Sequence, residues 1–301
     1  MKVSVIVPVY GVEKYIARCA ESLMGQSYPD IQFIFVNDGT KDRSMEVLAG
    51  VLERFPDREV RIVNQENAGL PRARAAGMRL AEGDYILHVD SDDWVEKDMV
   101  EALVACAGET GADVVYFDYW QEYPDHSRPH PNGAYTAATR ERFIQDIFRY
   151  RTPGYVWNKF ARRSLYDGLS WPAWQMNEDS VTMAQVLYRS TRIHHLERFL
   201  YHYRKMDSHS LSSQPKAARN IQATRNFLDF YVHFSGEGPA ACVREDILLR
   251  SAWMAWRYDR SLFRDYPFLR DEAVRIPLRR NRALKPWCQL ELKYALRFKV
   301  R

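Results

Sequence analysis

The chain has 301 residues, 46% of them hydrophobic and 13% aromatic, with a formal net charge of only +4. That supports a substantial buried core, in one large domain or two smaller ones, and no run approaches the ~20 apolar residues that span a bilayer. The charge is uneven: residues 275–301 hold nine Lys and Arg against the single acid Glu291, so this tail contributes +8 and the rest of the chain −4. A slightly acidic body argues against general nucleic-acid binding, whereas a basic end fits an anionic surface. Cys19, Cys106, Cys242 and Cys288 lie far apart, without metal-ligand or disulfide spacing. They read as free thiols of a reducing cytoplasm.

Residues 3–9 read as a buried first strand rather than a leader. The apolar run alternates, stops at Pro8 and enters charged Glu13, Lys14 and Arg18 without a small-residue cleavage site. A helix follows over 12–25 with Tyr15, Cys19 and Leu23 on one face. Strand 33–36, helix 42–55, strand 60–63, helix 71–81, strand 85–89, helix 96–109 and strand 113–117 continue the alternation. Repeated strand–helix–strand units imply a largely parallel α/β sheet with right-handed crossovers, flanked by helices. Ligands then belong at the carboxyl ends of the strands. Residues 124–133 read as a loop, residues 134–213 mix helical runs with strands such as 198–203, and from 216 onward the pattern is helical. The expected division is an α/β half over 1–123, a mixed half over 134–213, and a helical region over 214–301.

The richest stretch is Asp90-Ser91-Asp92-Asp93, directly after an apolar strand. Hard oxygen ligands at a carboxyl edge suit Mg²⁺ or Mn²⁺, and two aspartates leave most of the shell to phosphate oxygens and water. Asp38, ending the second strand, either accepts from a nucleobase N–H or ribose hydroxyl, or closes an Asx-turn into the next helix. Asp93 begins Asp93-Trp94-Val95-Glu96, which also fits a capping box. Asn177-Glu178-Asp179 fits a cap followed by two acids at a helix's first turn.

Several motifs together resemble the family 2 glycosyltransferases with the GT-A fold. They are Val5-Ile6-Val7-Pro8-Val9-Tyr10, Val36-Asn37-Asp38-Gly39-Thr40-Lys41-Asp42, Asn67-Ala68-Gly69-Leu70, Gly83-Asp84-Tyr85, Asp90-Ser91-Asp92-Asp93 and Asn177-Glu178-Asp179, in the family's order over residues 3–213. The resemblance implies sugar transfer from a nucleotide donor, usually with inversion. It makes residues 1–123 the nucleotide-binding half and 134–213 the acceptor half. It places Pro8 and Tyr10 around the nucleoside, Asp38 on uracil, Asp90 on the ribose or a metal-bound water, Ser91 among the nucleotide-binding residues, and Asp92 on the metal. It gives Asp179 the part of base toward the acceptor hydroxyl, with Glu178 beside it. Arg74 matches an arginine able to engage diphosphate, although Pro71 and Ala75 stand where serine and asparagine are common. Trp157-Asn158-Lys159 resembles an acceptor-side segment, with Trp157 and Lys159 its contacts. Trp171 or Trp174 offers a face for a sugar or belongs to the core. The run from Tyr203-Arg204 to His209 resembles a loop closing over the donor, where Arg204 meets phosphate and His209 or His202 either ligates the cation or is structural.

In the tail, Trp287, Leu290, Tyr294 and Phe298 recur at helical spacing beside Lys293, Arg297 and Arg301. Such a helix either lies on an anionic membrane or docks its apolar stripe on the body. The combined expectation is a metal-dependent, inverting transferase. It would use a nucleotide sugar, UDP-linked, to extend a surface polysaccharide or lipid-linked glycan at the inner face of the membrane. A nucleotidyltransferase would carry a glycine- and lysine-rich loop after the first strand, and residues 8–13 supply none. A binding or scaffolding protein that retained the fold without turnover is the non-enzyme alternative.

Overall fold

In a computed structural model of the chain, the described residues are 1–132, 139–205, 215–277, Cys288 and Leu292. His209, Trp287, Leu290, Tyr294 and Phe298 lie outside them. The chain divides into two compact units that interleave in sequence. The first comprises residues 1–136, 155–171 and 189–208, and the second residues 137–154, 172–188 and 209–301.

The first unit opens β1 (Val3–Val9), α1 (Ile16–Met24), β2 (Ile31–Asn37), α2 (Ser44–Leu52), β3 (Glu59–Asn64), α3 (Leu70–Met78) and β4 (Tyr85–His88). It continues with β5 (Trp94–Val95), α4 (Met99–Thr110), β6 (Val114–Glu122) and β7 (Ser127–His130). The second unit then begins with α5 (Arg140–Phe148), after which the chain returns to the first for β8 (Lys159–Arg162). Helix α6 (Glu178–Arg189), lying in the second unit but for its last residue, leads to β9 (Ile193–Arg204) of the first. The second unit ends in α7 (Lys216–His233), α8 (Gly238–Ala241), α9 (Arg244–Arg257), α10 (Ser261–Asp265) and α11 (Phe268–Arg275).

The nine described strands form one sheet in the order β3-β2-β1-β4-β8-β6-β9-β5, with β7 on β6. Strands β3, β2, β1 and β4 are mutually parallel, as are β6 and β9, while β8, β5 and β7 join antiparallel. Every residue of β1 is buried, because helices cover a parallel sheet on both faces. Its register pairs Val9 with Asn37 and Ile6 with His88, so the carboxyl ends of β1, β2 and β4 share one edge. Gly77 lets α3 lie close on this sheet: an added Cβ would sit 2.5 Å from Ile6 Cγ2.

Three elements differ from expectation. The 124–133 loop contains β7, whose exposed residues hide a pairing set by β6 rather than by apolar pattern. Helix α1 starts at Ile16 instead of 12, since the amides of Gly11, Val12 and Glu13 are taken by Thr40 Oγ1, Ser44 Oγ and Asp42 Oδ2. Strand β5 occupies Trp94–Val95 and delays α4 to Met99, so Asp93 does not cap a helix. Among the described residues no helix is long and apolar enough to cross a membrane.

Candidate active site

The loops at the shared carboxyl edge are built by side chains that bond across them. After β2, Asn37 Oδ1 accepts from Thr40 N at 3.0 Å, so the Asx-turn belongs to Asn37. Gly39 has φ +68°, and a Cβ there would lie 2.8 Å from Asn67 N. Only glycine fits that approach. Asp38 is 3% exposed and turned toward the 65–69 loop. Its carboxylate accepts from Gln65 Nε2 (2.7 Å), Ala68 N (2.9 Å) and Gly69 N (2.9 Å).

That loop delivers α3, which Pro71 opens at a position where a missing N–H costs nothing. Arg74, 2% exposed, donates from Nη2 to Asp90 Oδ1 at 2.8 Å. The structure thus ties Asp38 to Asp90 through 65–69 and α3. Below Asp90, His88 is fully buried, and neither ring nitrogen has a hydrogen-bond partner among the described residues. Burial, and then the Arg74 charge, hold its imidazole well below the usual range and hence neutral.

Residues 90–93 form a turn closed by Asp93 N donating to Asp90 O at 3.1 Å. Ser91 is buried within it. Asp93 is 1% exposed and accepts from Tyr201 OH (2.7 Å) and Arg204 N (2.7 Å). Burial, Asp92 and Asp90 push its carboxyl well above the ordinary range, against the bonds from Arg204 and Tyr201. Asp92 keeps 35% of its side-chain surface open but is enclosed on its other sides. Burial, then Asp90, pushes it up to about 6, against the opposing Arg204. Arg204 Nη2 stands 3.4 Å from Asp92 Oδ2, with its guanidinium carbon 3.5 Å above the Tyr15 ring.

This turn fits a hard divalent cation. Asp90 and Asp92, 25% and 35% exposed, each give one oxygen to an arginine, and their mutual repulsion is what a cation would relieve. Among the described residues no group of three or more His, Cys, Asp or Glu makes a closed metal site. A cation here would therefore take further oxygens from substrate and water.

The remaining expected residues take varied places. Tyr10 is 53% exposed at the end of β1, and Pro8 is buried within that strand rather than ending it. Trp157 and Lys159 are each 1% exposed. Trp157 is stacked between Tyr155 and Tyr201, and Lys159 Nζ donates to Tyr155 O and Asn158 Oδ1, so both sit as core residues rather than as an open acceptor surface. His202 spends its two ring nitrogens on Glu122 and Glu96. Glu178 and Asp179 open α6 in the second unit, after Asn177 with φ +59° and its Nδ2 on Tyr150 OH at 2.7 Å. Sequence reasoning missed Gln65 and Tyr201. Tyr201 and Tyr203 share a strand face by their two-residue spacing, which was the available signal.

The family model described as Glycosyl transferase family 2 matches residues 4–167, more than half of the chain. The chain belongs to glycosyl transferase family 2. EpsJ of Bacillus subtilis (strain 168), named an uncharacterized glycosyltransferase, is 32% identical over 257 residues, which is 81% of this chain and 73% of EpsJ. Across four curated relatives the share of their own length that the chain spans runs from 30% to 73%, and for one of the first two it is 60%. Among solved structures, S. aureus TarS 1-349 in complex with UDP-GlcNAc aligns with TM-score 0.72 and 20% identity, over 98% of this chain and 87% of that one. The mannosyltransferase PcManGT from Pyrobaculum calidifontis, in complex with GDP-Man and Mn²⁺, aligns with TM-score 0.58 and 14% identity, over 99% and 87%. The family 2 chain thus has the mixed α/β GT-A fold of these structures.

Proposed function

We propose that this family 2 chain transfers a sugar, with inversion, from a UDP-linked donor to a hydroxyl of a growing surface polysaccharide or lipid-linked glycan. The observation that carries the reading is the Asp90–Asp93 turn at the carboxyl edge of β4, with Arg74 on Asp90 and Arg204 on Asp92. Carboxylates for a cation and the partly open Arg204 guanidinium for phosphate are what a nucleoside diphosphate needs. UDP is favoured because TarS, alike in fold, was solved with UDP-GlcNAc. A divalent cation is supported by the carboxylate pair here and by the Mn²⁺ in PcManGT.

In this reading Asp92 ligates Mn²⁺ or Mg²⁺, and Asp90 and Ser91 meet the ribose or a metal-bound water. Bound there, the cation neutralises charge on the departing diphosphate. Arg204, partly open, holds phosphate oxygens, while buried Arg74 keeps Asp90 in place. Exposed Tyr10, beside Pro8, covers the nucleoside. Asp38 has three donors and room for about one more on its four lone-pair sites, which a uracil N–H would take. Asp179 removes the acceptor hydroxyl's proton, and Glu178 supports it. The basic tail brings the chain to an anionic membrane where a lipid-linked acceptor resides.

Thermal-shift measurements with UDP-, GDP-, CDP- and TDP-sugars, each with and without Mn²⁺, test the donor. A shift specific to UDP and dependent on metal is expected, and an equal response to all four would refute the assignment. For the base, Asp179→Asn should keep donor binding while UDP release onto acceptor falls by about 10²–10⁴-fold. Near wild-type transfer would remove Asp179 from the mechanism.

A further inference from the structure

The acidic turn has a second set of partners that the transfer reading leaves unexplained. One phenolic oxygen touches both of its ends: Tyr201 OH accepts from Asp90 N at 3.1 Å and donates to Asp93 Oδ2 at 2.7 Å. Three residues along the same strand, Arg204 N donates to the other Asp93 oxygen at 2.7 Å. Chain pairing continues at once, with Trp94 opposite His202 and Val95 opposite Tyr201. The turn is therefore clipped to β9 by side chain and backbone together.

The phenol is itself immobilised. Tyr201 is fully buried and stacks on Trp157 at 4.4 Å and 14°, and Trp157 stacks on Tyr155 at 4.7 Å and 14°. Tyr119 meets the indole edge-on at 4.8 Å and 90°. A ring packed on this column cannot swing, so its oxygen is a fixed point. Asp93 gives the Tyr201 hydroxyl and the Arg204 amide their acceptors, and without those bonds a buried acid beside two others would oppose folding.

We propose that Tyr201, through Asp93, is a positioning residue that fixes the spacing and direction of the Asp90 and Asp92 carboxylates, with Trp157 as the brace behind it. The proposal rests on the reading that this turn holds a cation-bridged nucleotide. Ligands of a metal are aimed by the groups hydrogen-bonded behind them. Here the turn's two ends are held by Tyr201, leaving partly open Asp92 between them to face the donor. The same column explains why Trp157 is conspicuous in the sequence yet closed to solvent.

The test is Mn²⁺ titration calorimetry on the full chain with UDP present, beside UDP titration in EDTA. Tyr201→Phe keeps the ring stack and removes only the hydroxyl. It should weaken Mn²⁺ binding by about tenfold or more, while metal-free UDP binding is unchanged. Tyr85→Phe is the control: its hydroxyl donates to Ala112 O at 2.6 Å in the same sheet, away from the turn. It should lower the melting temperature comparably and leave Mn²⁺ affinity at the wild-type value. Asp93→Asn, which retains volume and one acceptor oxygen, should also weaken Mn²⁺, and it carries the test if Tyr201→Phe does not fold. Wild-type Mn²⁺ affinity in the folded variants, or an equal loss in Tyr85→Phe, overturns the proposal. A wild-type chain that binds UDP with no response to Mn²⁺ overturns the cation-bridged reading instead, and the positioning role with it.

Discussion

The loops after β2 and β4 both follow a parallel strand with an aspartate, yet they use the charge in opposite ways. Asp38 is surrounded by donors: one side chain and two backbone amides converge on its two oxygens. Asp90, Asp92 and Asp93 crowd three carboxylates into four residues, and burial, then the Asp90 charge, pushes Asp92 up to about 6. The first loop is nearly finished by the protein itself, with about one lone-pair site of Asp38 left over. The second is in deficit of positive charge, and a cation with a diphosphate would complete it. A carboxylate's function is thus set by the donors around it more than by its position at a strand end.

The largest effect expected from this contrast is at Asp92. On the proposed reading, Asp92→Asn removes the charge that would hold the cation, whose stabilisation of the leaving group would be worth several kcal/mol. Transfer measured as kcat/KM should fall by about 100-fold or more, and the Mn²⁺-dependent thermal shift with UDP should vanish. If instead Asp92→Asn retains that shift, the deficit is not the metal site. Asp38→Asn should act on the fold. Placing an NH₂ against three N–H donors leaves at least one unsatisfied, at about 1–3 kcal/mol. Denaturant unfolding should register that loss without any UDP present, and an unchanged midpoint would mean the loop does not depend on this clamp.

The smallest effect is in pH. Because Asp92 in the folded chain titrates near 6, above its ordinary 3.8, it favours the folded state most below pH 4. That contribution is lost as pH rises through about 6. In EDTA, the wild-type chain should therefore lose a little melting temperature between pH 4 and 6 that Asp92→Asn does not lose. With Mn²⁺ and UDP the sign reverses: added stability should be full at pH 7.5 and fade below about pH 6, as a proton replaces the cation. Melting curves from pH 4 to 8 with and without Mn²⁺ separate the two, and parallel curves would show that Asp92 meets no metal.

Much of this was legible in the chain. The runs forming β1 and β2 are rich in Val, Ile and Phe, and β4 is Tyr-Ile-Leu-His, the largely apolar pattern of strands covered on both faces. The turn residues after them placed Asp38 and Asp90–Asp93 at one edge. Less legible was β7, built from exposed Ser127 and Arg128 with Pro129 and paired only because β6 continues to Glu122. Asp93 also misled, since Asp-x-x-Glu before an apolar run matches a helix cap. The two-residue strand β5 intervenes because β9 offers it a partner more than a hundred residues away.

By itself the sequence determined the parallel half of the sheet, the edge that carries the acids, and membership in family 2, because these follow from short-range periodicity and contiguous motifs. Tertiary structure alone decided which acid is ringed by donors and which is left in deficit, and that Trp157 stacks on Tyr201 within the core. Those outcomes depend on partners brought from distant strands, Tyr201 and Arg204 on Asp93 and Gly69 on Asp38, and no local pattern encodes which donor a buried carboxylate will meet.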